Sequence, residues 1–457
     1  MKNPLLVPEF LELLEAGQTE ALREFCADCH PAAVGEMLSA LKPANAWEVL
    51  KLAEPVRRAE IFSHLDEEEQ EELVEILRRE DIARLFSDMP PDDRAHLFRR
   101  LPEARQEMVM PALAQAERED IRRLSSYEEG TAGAIMTSDY ATLPPELTVA
   151  EAIDHLRRVA PDKETIYYSY VVDEHRKLMG FVSLRDLIVA RRDRKVKEIA
   201  HVEVIFATTD EDQEEAARKI QKFDLLALPV VNAGGSLVGI ITYDDAIDVI
   251  TQEHTEDMEK LMAIGGSHEA GAYLRSTPWE HFRNRAVWVA ALGFVGMLSG
   301  YIVQHYEGLL KQFTLLAAFM PMLAGAGGNT GSQSASLVVR GLALREITPR
   351  DLPRILLKET QVSLMLGGLL GSIVFARVIF HGGDFSLGML GWLGLTISLA
   401  VGLQVVTATL VGALLPVVAA KLKFDPAVVA TPALTTIVDV TGLLIYFAVA
   451  SAMLLRI

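Results

Sequence analysis

The sequence predicts a multi-domain chain: an all-α superhelical N-terminal domain, a duplicated α/β pair, a linker helix and an all-α membrane domain of five transmembrane helices. Three observations predict it. Charge is split along the chain: from Arg285 onward there are 11 Lys/Arg and 7 Asp/Glu, which leaves 33 basic and 56 acidic residues in 1–284. The first stretch carries about −23 and the second about +4, within a whole-chain charge of −19. Two internal repeats, of 36 and 59 residues, fall in the acidic stretch, and five long apolar runs fall in the other. A chain of 457 residues is in any case too long for one ordinary domain. The expected boundaries are 1–130, 131–250 (halves 131–199 and 200–250), 246–275 and 276–457.

An acidic excess of this size argues against nucleic acid and against docking on anionic lipid, and favours divalent cations as partners. The first 30 residues contain Glu9, Glu12, Glu15, Glu20 and Glu24 and no uninterrupted apolar core. No signal peptide is therefore expected, and the acidic part is expected in the cytosol. Cys26, Cys29 and His30 form CADCH, the spacing of c-type haem attachment. Haem needs export and zinc needs further thiols, so two cytosolic thiols on a helix are the expectation.

Residues 5–125 read as helices only, with apolar residues at three- and four-residue steps such as Leu73, Ile76 and Leu77. Pro55, Ala59, Phe62 and Leu65 return 36 residues later as Pro91, Ala95, Phe98 and Leu101, which suggests stacked helical hairpins.

Residues 131–250 change character. The strand-like YYSYVVD (167–173), a turn and MGFVSLRDLI (179–188) return in LALPVVNAGGSLVGIITYDDAI (226–247). Val171, Val172, Gly180 and Asp186 map onto Val230, Val231, Gly239 and Asp245. Both halves carry G-x-x-[ST]-x-x-D, as Gly180, Ser183, Asp186 and Gly239, Thr242, Asp245. The glycine lets the strand bend and the Asp falls in the first turn of a helix. The duplicated unit resembles a tandem cystathionine-β-synthase-type (CBS) pair. The resemblance implies that Ser183, Asp186, Thr242 and Asp245 can contact the ribose of an adenine nucleotide such as ATP. The plain alternative is that each Asp only caps its helix.

The linker, 244–275, crowds Asp244, Asp245, Asp248, Glu253, Glu256, Asp257 and Glu259 onto a helix ending near Gly265-Gly266. Hinges are expected around 126–131 and 262–272, where Gly130, Gly133, Gly265, Gly266 and Gly271 lie. Trp279, Arg283 and Arg285 then mark arrival at a bilayer.

Spans are expected at 286–306, 312–339, 360–376, 385–420 and 426–455. Each exceeds or nearly meets the ~20 residues a helix needs to cross. The 36-residue run is too short for two spans and a loop, so it counts once. Arg340, Arg345, Arg350, Arg354 and Lys358 follow the second run, and Lys421 and Lys423 the fourth. The loops around Lys311 and His381–Asp384 nearly lack such residues. The positive-inside rule then puts the N-terminus in the cytoplasm and Ile457 outside.

Asp439 sits mid-way along the last run, where a carboxylate costs at least ~2.5–3.5 kcal/mol unless it faces protein, water or a cation. Either it bonds a neighbouring helix or it marks a cation route. In PMLAGAGGNTGSQSASLVVRGLA (321–343), Pro321, Gly325, Gly327, Gly328 and Gly331 are expected to weaken or interrupt the helix. Asn329, Thr330, Ser332, Gln333, Ser334 and Ser336 add neutral oxygens; close packing through small residues is the alternative. These spans hold no thiol or imidazole, so hard cations fit. One carboxylate with carbonyls and amides suits Mg²⁺ best.

Together the acidic helical domain, the CBS pair, the linker helix, PMLAGAGGNTGSQSASLVVRGLA and TTIVDVTGLLIYF resemble the MgtE family of bacterial magnesium channels and transporters, over essentially the whole chain. The resemblance implies a homodimer, no enzyme, in the cytoplasmic (inner) membrane, with the pore at the subunit interface. It implies that Asp439 of both chains holds hydrated Mg²⁺, with Asn329, Gln333 and the Thr435 carbonyl nearby, and that helix 246–264 plugs the pore at high cytosolic Mg²⁺. Metal-free acidic surfaces repel, and Mg²⁺ bridging them would favour a compact, closed state. The candidate carboxylates are Asp92, Asp93, Asp212, Glu214, Asp224, Asp245, Asp248, Glu253, Glu256 and Asp257. The alternative is a transporter of another divalent cation, Mn²⁺ or Co²⁺, gated by nucleotide at the CBS pair.

Overall fold

The computed structural model describes residues 7–262, 264, 277–381, 386–426 and 432–454, in two compact units that divide between Ile250 and Thr251. Gly265, Gly266 and Gly271 of the expected second hinge, loop residues 382–384 and Ile457 lie outside the described residues.

The first unit opens, among the described residues, with ten short helices from α1 (Val7–Glu15) to α10 (Gln115–Leu124). They include α2 (Thr19–Asp28), α3 (Pro31–Leu38), α5 (Pro55–Ser63) and α8 (Pro91–Arg100). Pro55 and Pro91 start their helices, where a missing N–H leaves nothing unpaired. Ala59, Phe62, Leu65, Ala95 and Leu101 are buried, so the 36-residue repeat is a core-facing stripe. Polar side chains extend it. The Gln70 amide donates to the carbonyls of Phe62, Ser63 and Leu65. Gln106, 36 residues on, donates to Phe98, Arg99 and Leu101. Arg58 and Arg94 likewise donate to carbonyls that end the preceding helix. Each repeat thus carries its own closure for carbonyls that a helix end leaves orphaned.

The CADCH stretch has a structural role. Cys26 is buried on α2, Cys29 caps its C-terminus, and the His30 ring accepts from the Ala32 N–H at 3.3 Å to start α3. Burial and the neighbouring Cys29 push the Cys26 thiol up to about 11 against the pull of Arg57. A thiol so raised is protonated and inert at neutral pH.

Each half of the α/β pair is a three-stranded sheet, β1 (Tyr140–Leu143), β2 (Thr165–Val172) and β3 (Leu178–Ser183), then β4 (Ala207–Thr208), β5 (Ala227–Val231) and β6 (Leu237–Thr242). In both the first pairing is parallel and the second antiparallel. α11 (Val149–Val159) with α12 (Leu184–Val189) and α13 (Val196–Ile199) serve the first half; α14 (Gln213–Phe223) and α15 (Tyr243–Leu261) serve the second. Val171 faces Gly180 and Val230 faces Gly239, each beside a register shift, so the expected bend is there. The glycines also answer a tighter demand. A Cβ on Gly180 would lie 2.7 Å from the His201 carbonyl oxygen, and one on Gly239 2.8 Å from that of Thr137. His201 bridges Phe181 and Thr137 bridges Ile240, so each half is crossed by the segment leading into the other.

The expected hinge at 126–131 is not loose. Thr131 bridges Asp212, and the N–H groups of Ala132 and Gly133 donate to Glu211 and Thr209. Ala95 and Leu124 of the helical part share a core with Leu228, Val230 and Ile241, which fuses it to the second half.

The second unit holds α16 (Pro278–His305), α17 (Glu307–Gln312), α18 (Leu315–Ala343), α19 (Leu352–His381), α20 (Leu387–Lys421) and α21 (Pro432–Leu454). Among the described residues, four segments are long and apolar enough to cross a membrane: Pro278–His305, Pro349–Phe380, Leu387–Lys421 and Leu434–Leu454. α18, at 29 residues or ~43 Å, has the length but is not among them, because Gly, Asn, Ser and Gln dilute its apolar content. α20 is a single 35-residue helix, as the one-span reading expects. One expectation is corrected. α18 runs unbroken through Pro321 and the four glycines.

Candidate ion pathway and acidic cluster

The glycines of α18 are used for approach. A Cβ on Gly327 would stand 2.4 Å from the Gln404 amide nitrogen and 2.8 Å from Val438, and one on Gly331 3.1 Å from the Ala408 carbonyl oxygen. α20 and α21 therefore reach the α18 backbone, as small residues allow between membrane helices. At Gly328 the nearest neighbour is Thr435, at 3.8 Å. α18 thus crosses α21 with Gly327 and Gly328 against Thr435 and Val438. Asn329 and Asp439 each lie one residue beyond that crossing.

Asn329, Ser332, Gln333 and Ser336, at helical steps of three and four, line a cavity of about 530 Å³ with Leu337. Asn329, Gln333 and Ser336 are exposed, while Gly327, Gly331, Ala335 and Val338 are buried. The polarity is the reverse of what a helix would turn toward lipid, so this face wants water, ions or another chain. Asp439 is half-buried on α21 and Thr435 is exposed. The Thr330 hydroxyl turns back onto the Ala326 carbonyl at 2.9 Å, and Ser334 is buried.

Sequence reasoning missed Gln404. Its amide, 1% exposed, donates to the Val438 carbonyl at 2.8 Å, while its Oε1 is buried without a partner. The signal was available: it is the only carboxamide in the apolar run 385–420.

In the first unit, Asp92 and Asp93 in the first turn of α8 meet Asp244, Asp245 and Asp248 at the start of α15, and Glu164 just before β2. Burial pushes the Asp92 and Asp93 carboxyls up. Charge on Asp93, Asp245 and Glu164 adds to the shift of Asp92. Burial takes Asp245 up to about 7; a Thr242 hydrogen bond opposes this, and Asp244, Asp93 and Glu164 reinforce it. Asp248 and Glu164 are raised for the same reasons. One Asp92 oxygen is buried without a hydrogen bond. Among the described residues, no three ligand-type side chains are closed around one point, so this is convergent charge rather than a finished cage. Glu164 was not legible, since an acid before a strand carries no long-range signal.

Other candidates have local roles. Asp212 caps α14, accepting from the Glu214 and Glu215 N–H groups, and Glu214 pairs with Arg218. Asp224 ends α14 in the left-handed region at φ 50°. None of the three is among the charges that shift the cluster. Glu253, Glu256 and Asp257 lie in the second unit, half-buried on α15. There Lys260 binds Glu256 at 2.6 Å and Asp425 at 3.1 Å, and burial with the Asp425 charge raises Asp257.

The two nucleotide-motif copies differ electrically. Ser183 and Asp186 close a capping box on α12, and His201 Nε2 lies 3.1 Å from the Asp186 carboxylate. Burial would raise Asp186, but hydrogen bonds from Ser183 and His201 hold it below the usual range. Thr242 likewise donates to Asp245, whose carboxyl is instead raised, first by burial and then by the charges of Asp244, Asp93 and Glu164.

Residues 320–449 match the MgtE family, described as divalent cation transporters, residues 29–130 the MgtE intracellular N domain, and 132–193 and 196–252 the CBS domain. The chain is 44% identical over 337 residues to the magnesium transporter MgtE of Thermus thermophilus, covering 74% of this chain and 73% of that one. It is 36% identical over 345 residues to the magnesium transporter MgtE of Bacillus subtilis, covering 75% and 74%. A crystal structure of the cytosolic domain of the Mg²⁺ channel MgtE in complex with ATP aligns at 40% identity and a TM-score of 0.51, over 53% of this chain and 100% of that one. With these matches along both the soluble and the membrane-type stretches, the chain belongs to the MgtE family of magnesium transporters.

Proposed function

We propose that the protein conducts Mg²⁺ across the bacterial cytoplasmic membrane as a homodimer of five-span subunits, closed by Mg²⁺ binding to its cytosolic carboxylates. The observation that carries this is the outward polar stripe of α18 beside the crossing that positions Asp439. Two copies meeting along that stripe would enclose a water-filled path, with Asp439, Asn329, Gln333 and the Thr435 carbonyl around a hydrated ion. Hard oxygen ligands and retained water suit Mg²⁺. The basic residues flanking α18 and α20 support a cytoplasmic N-terminus and an outer C-terminus.

Feedback follows from repulsion. With Asp92, Asp93, Glu164, Asp244, Asp245 and Asp248 converging, a divalent cation stabilises the state that brings them together, and only that state. Glu253, Glu256 and Asp257 would extend the response along α15, residues 246–264 acting as the plug. Asp212, Glu214 and Asp224 are weaker candidates, because each already serves α14. The ATP held by a relative's cytosolic domain supports a nucleotide at Ser183, Asp186, Thr242 and Asp245.

The test is flux in proteoliposomes with internal Mg²⁺ varied, using Mg²⁺, Mn²⁺ and Co²⁺ as substrates. Mg²⁺ uptake that internal Mg²⁺ suppresses is expected. Uptake that favours Mn²⁺ or Co²⁺, or that only nucleotide suppresses, would replace this reading with the other-cation one.

A further inference from the structure

α18 and α19 both pack along α20 yet barely touch each other. The cleft between them has a volume of about 370 Å³, with Thr409 of α20 on its floor. Its walls are apolar, including Leu337, Val338, Ile355, Val362 and Leu366. Its rim carries Glu346, Lys358 and Glu359. None of these three has an ion-pair partner among the described residues. On its inner side lies Ser334, 2% exposed, whose hydroxyl has no hydrogen-bond partner. Buried hydroxyls are nearly always bonded, so an orphan lining a cavity points to a missing acceptor. The size and the apolar wall with few polar groups are those of a ligand site.

We propose that this cleft holds one phospholipid with a primary-ammonium head group, of the phosphatidylethanolamine class. The charges select it. Lys358 offers one cation for a phosphate, and Glu346 and Glu359 offer carboxylates for an ammonium. An acyl chain lies along Val362 and Leu366, and Ser334 donates to an ester carbonyl of the glycerol. An anionic head group would leave the two carboxylates facing negative charge. A choline head group has no N–H to give them. Gln333 lines both this cleft and the polar face of α18, so the lipid forms the back wall of the stripe that bears Asn329 and Gln333. The site stands whether or not the transport reading does, because its readout is binding.

The experiment is native mass spectrometry of the full-length protein, released from vesicles of equal phosphatidylethanolamine, phosphatidylcholine and phosphatidylglycerol. One phosphatidylethanolamine per chain is expected, with the other two retained about tenfold less, the effect of losing a charge-assisted hydrogen bond. Glu346→Gln with Glu359→Gln should erase the preference over phosphatidylcholine, and Ser334→Leu should empty the cleft. Should Ser334→Leu fail to fold, Lys358→Ala, at an exposed position, must still lower retention. Equal retention of all three lipids, preference for phosphatidylglycerol, or variants without effect would overturn the proposal. So would a lipid-free dimer, which would mean that a second copy fills the cleft.

Discussion

The side chain of Gln404 donates to the backbone carbonyl of Val438, the residue before Asp439, across the α20–α21 contact. Gly442 makes room for it: a Cβ there would lie 2.4 Å from the Gln404 nitrogen, as would one on Gly327. Three helices therefore meet on one carboxamide. Gln404→Leu should change stability by only about 1 kcal/mol, since interhelical hydrogen bonds in membranes are weak. Flux should fall at least about tenfold if the bond positions Asp439. Gly442→Ala should do the same, and the two changes together should do no more than either alone. Additive losses would show that they act separately.

Asp439→Ala should abolish Mg²⁺ flux while the assembled protein stays folded. Asp439→Asn, which keeps shape and loses charge, should do nearly as much. A folded Asp439→Ala protein with wild-type flux would reduce the residue to packing.

The raised carboxyls of the acidic cluster set a pH dependence. A carboxyl whose folded value lies above its unfolded one holds extra protons when folded, so stability falls as pH rises between the two. For Asp245 that window runs from about 4 to about 7. Mg²⁺ held by this cluster would compete with those protons, so on the proposed reading it should raise the melting temperature of the first unit more at pH 8 than at pH 6. A pH-independent Mg²⁺ effect would place the cation elsewhere.

Protease should cut the chain readily in chelator and slowly in millimolar-range Mg²⁺. The hydrogen bonds of Thr131, Ala132 and Gly133 move the expected cut away from 126–131 and toward 262–272. Neutralising Glu253, Glu256 and Asp257 together should weaken the protection and leave flux on at high internal Mg²⁺. Monovalent salt at matched ionic strength should not reproduce the effect.

For nucleotide, Asp186→Ala should weaken ATP binding by calorimetry. His201→Ala removes one partner of the Asp186 carboxylate, leaving Ser183, and should alter the affinity. No heat with the unaltered protein would leave both motifs as helix caps.

The architecture was legible where one short pattern repeats. The 36- and 59-residue repeats located both soluble folds, because identical faces must be buried identically. The continuity of α18 was not legible. Glycine and proline lower helix propensity locally, but packing against α20 and α21 outweighs that, and only the neighbours reveal it. Asp92 and Asp93 are an adjacent acidic pair in the sequence, and only the structure sets their charge against that of Asp245 and Glu164. Glu164 and Gln404 depend on contacts from far along the chain, and a linear reading assigns them nothing. Asp212 and Asp224 carry the same charge in the sequence, and only the structure shows that each already ends or caps α14.

The Gln70–Gln106 and Arg58–Arg94 correspondences reach beyond this molecule. Because each turn of the superhelix finishes its own main-chain bonding, one turn more or fewer would leave no raw end in its neighbours. The domain's length can then drift by whole turns over evolutionary time, through duplication or loss, while α8 keeps its seat on the second half of the α/β pair. Reach is adjustable in steps, and the acidic surface of α8 need not be reinvented at each step.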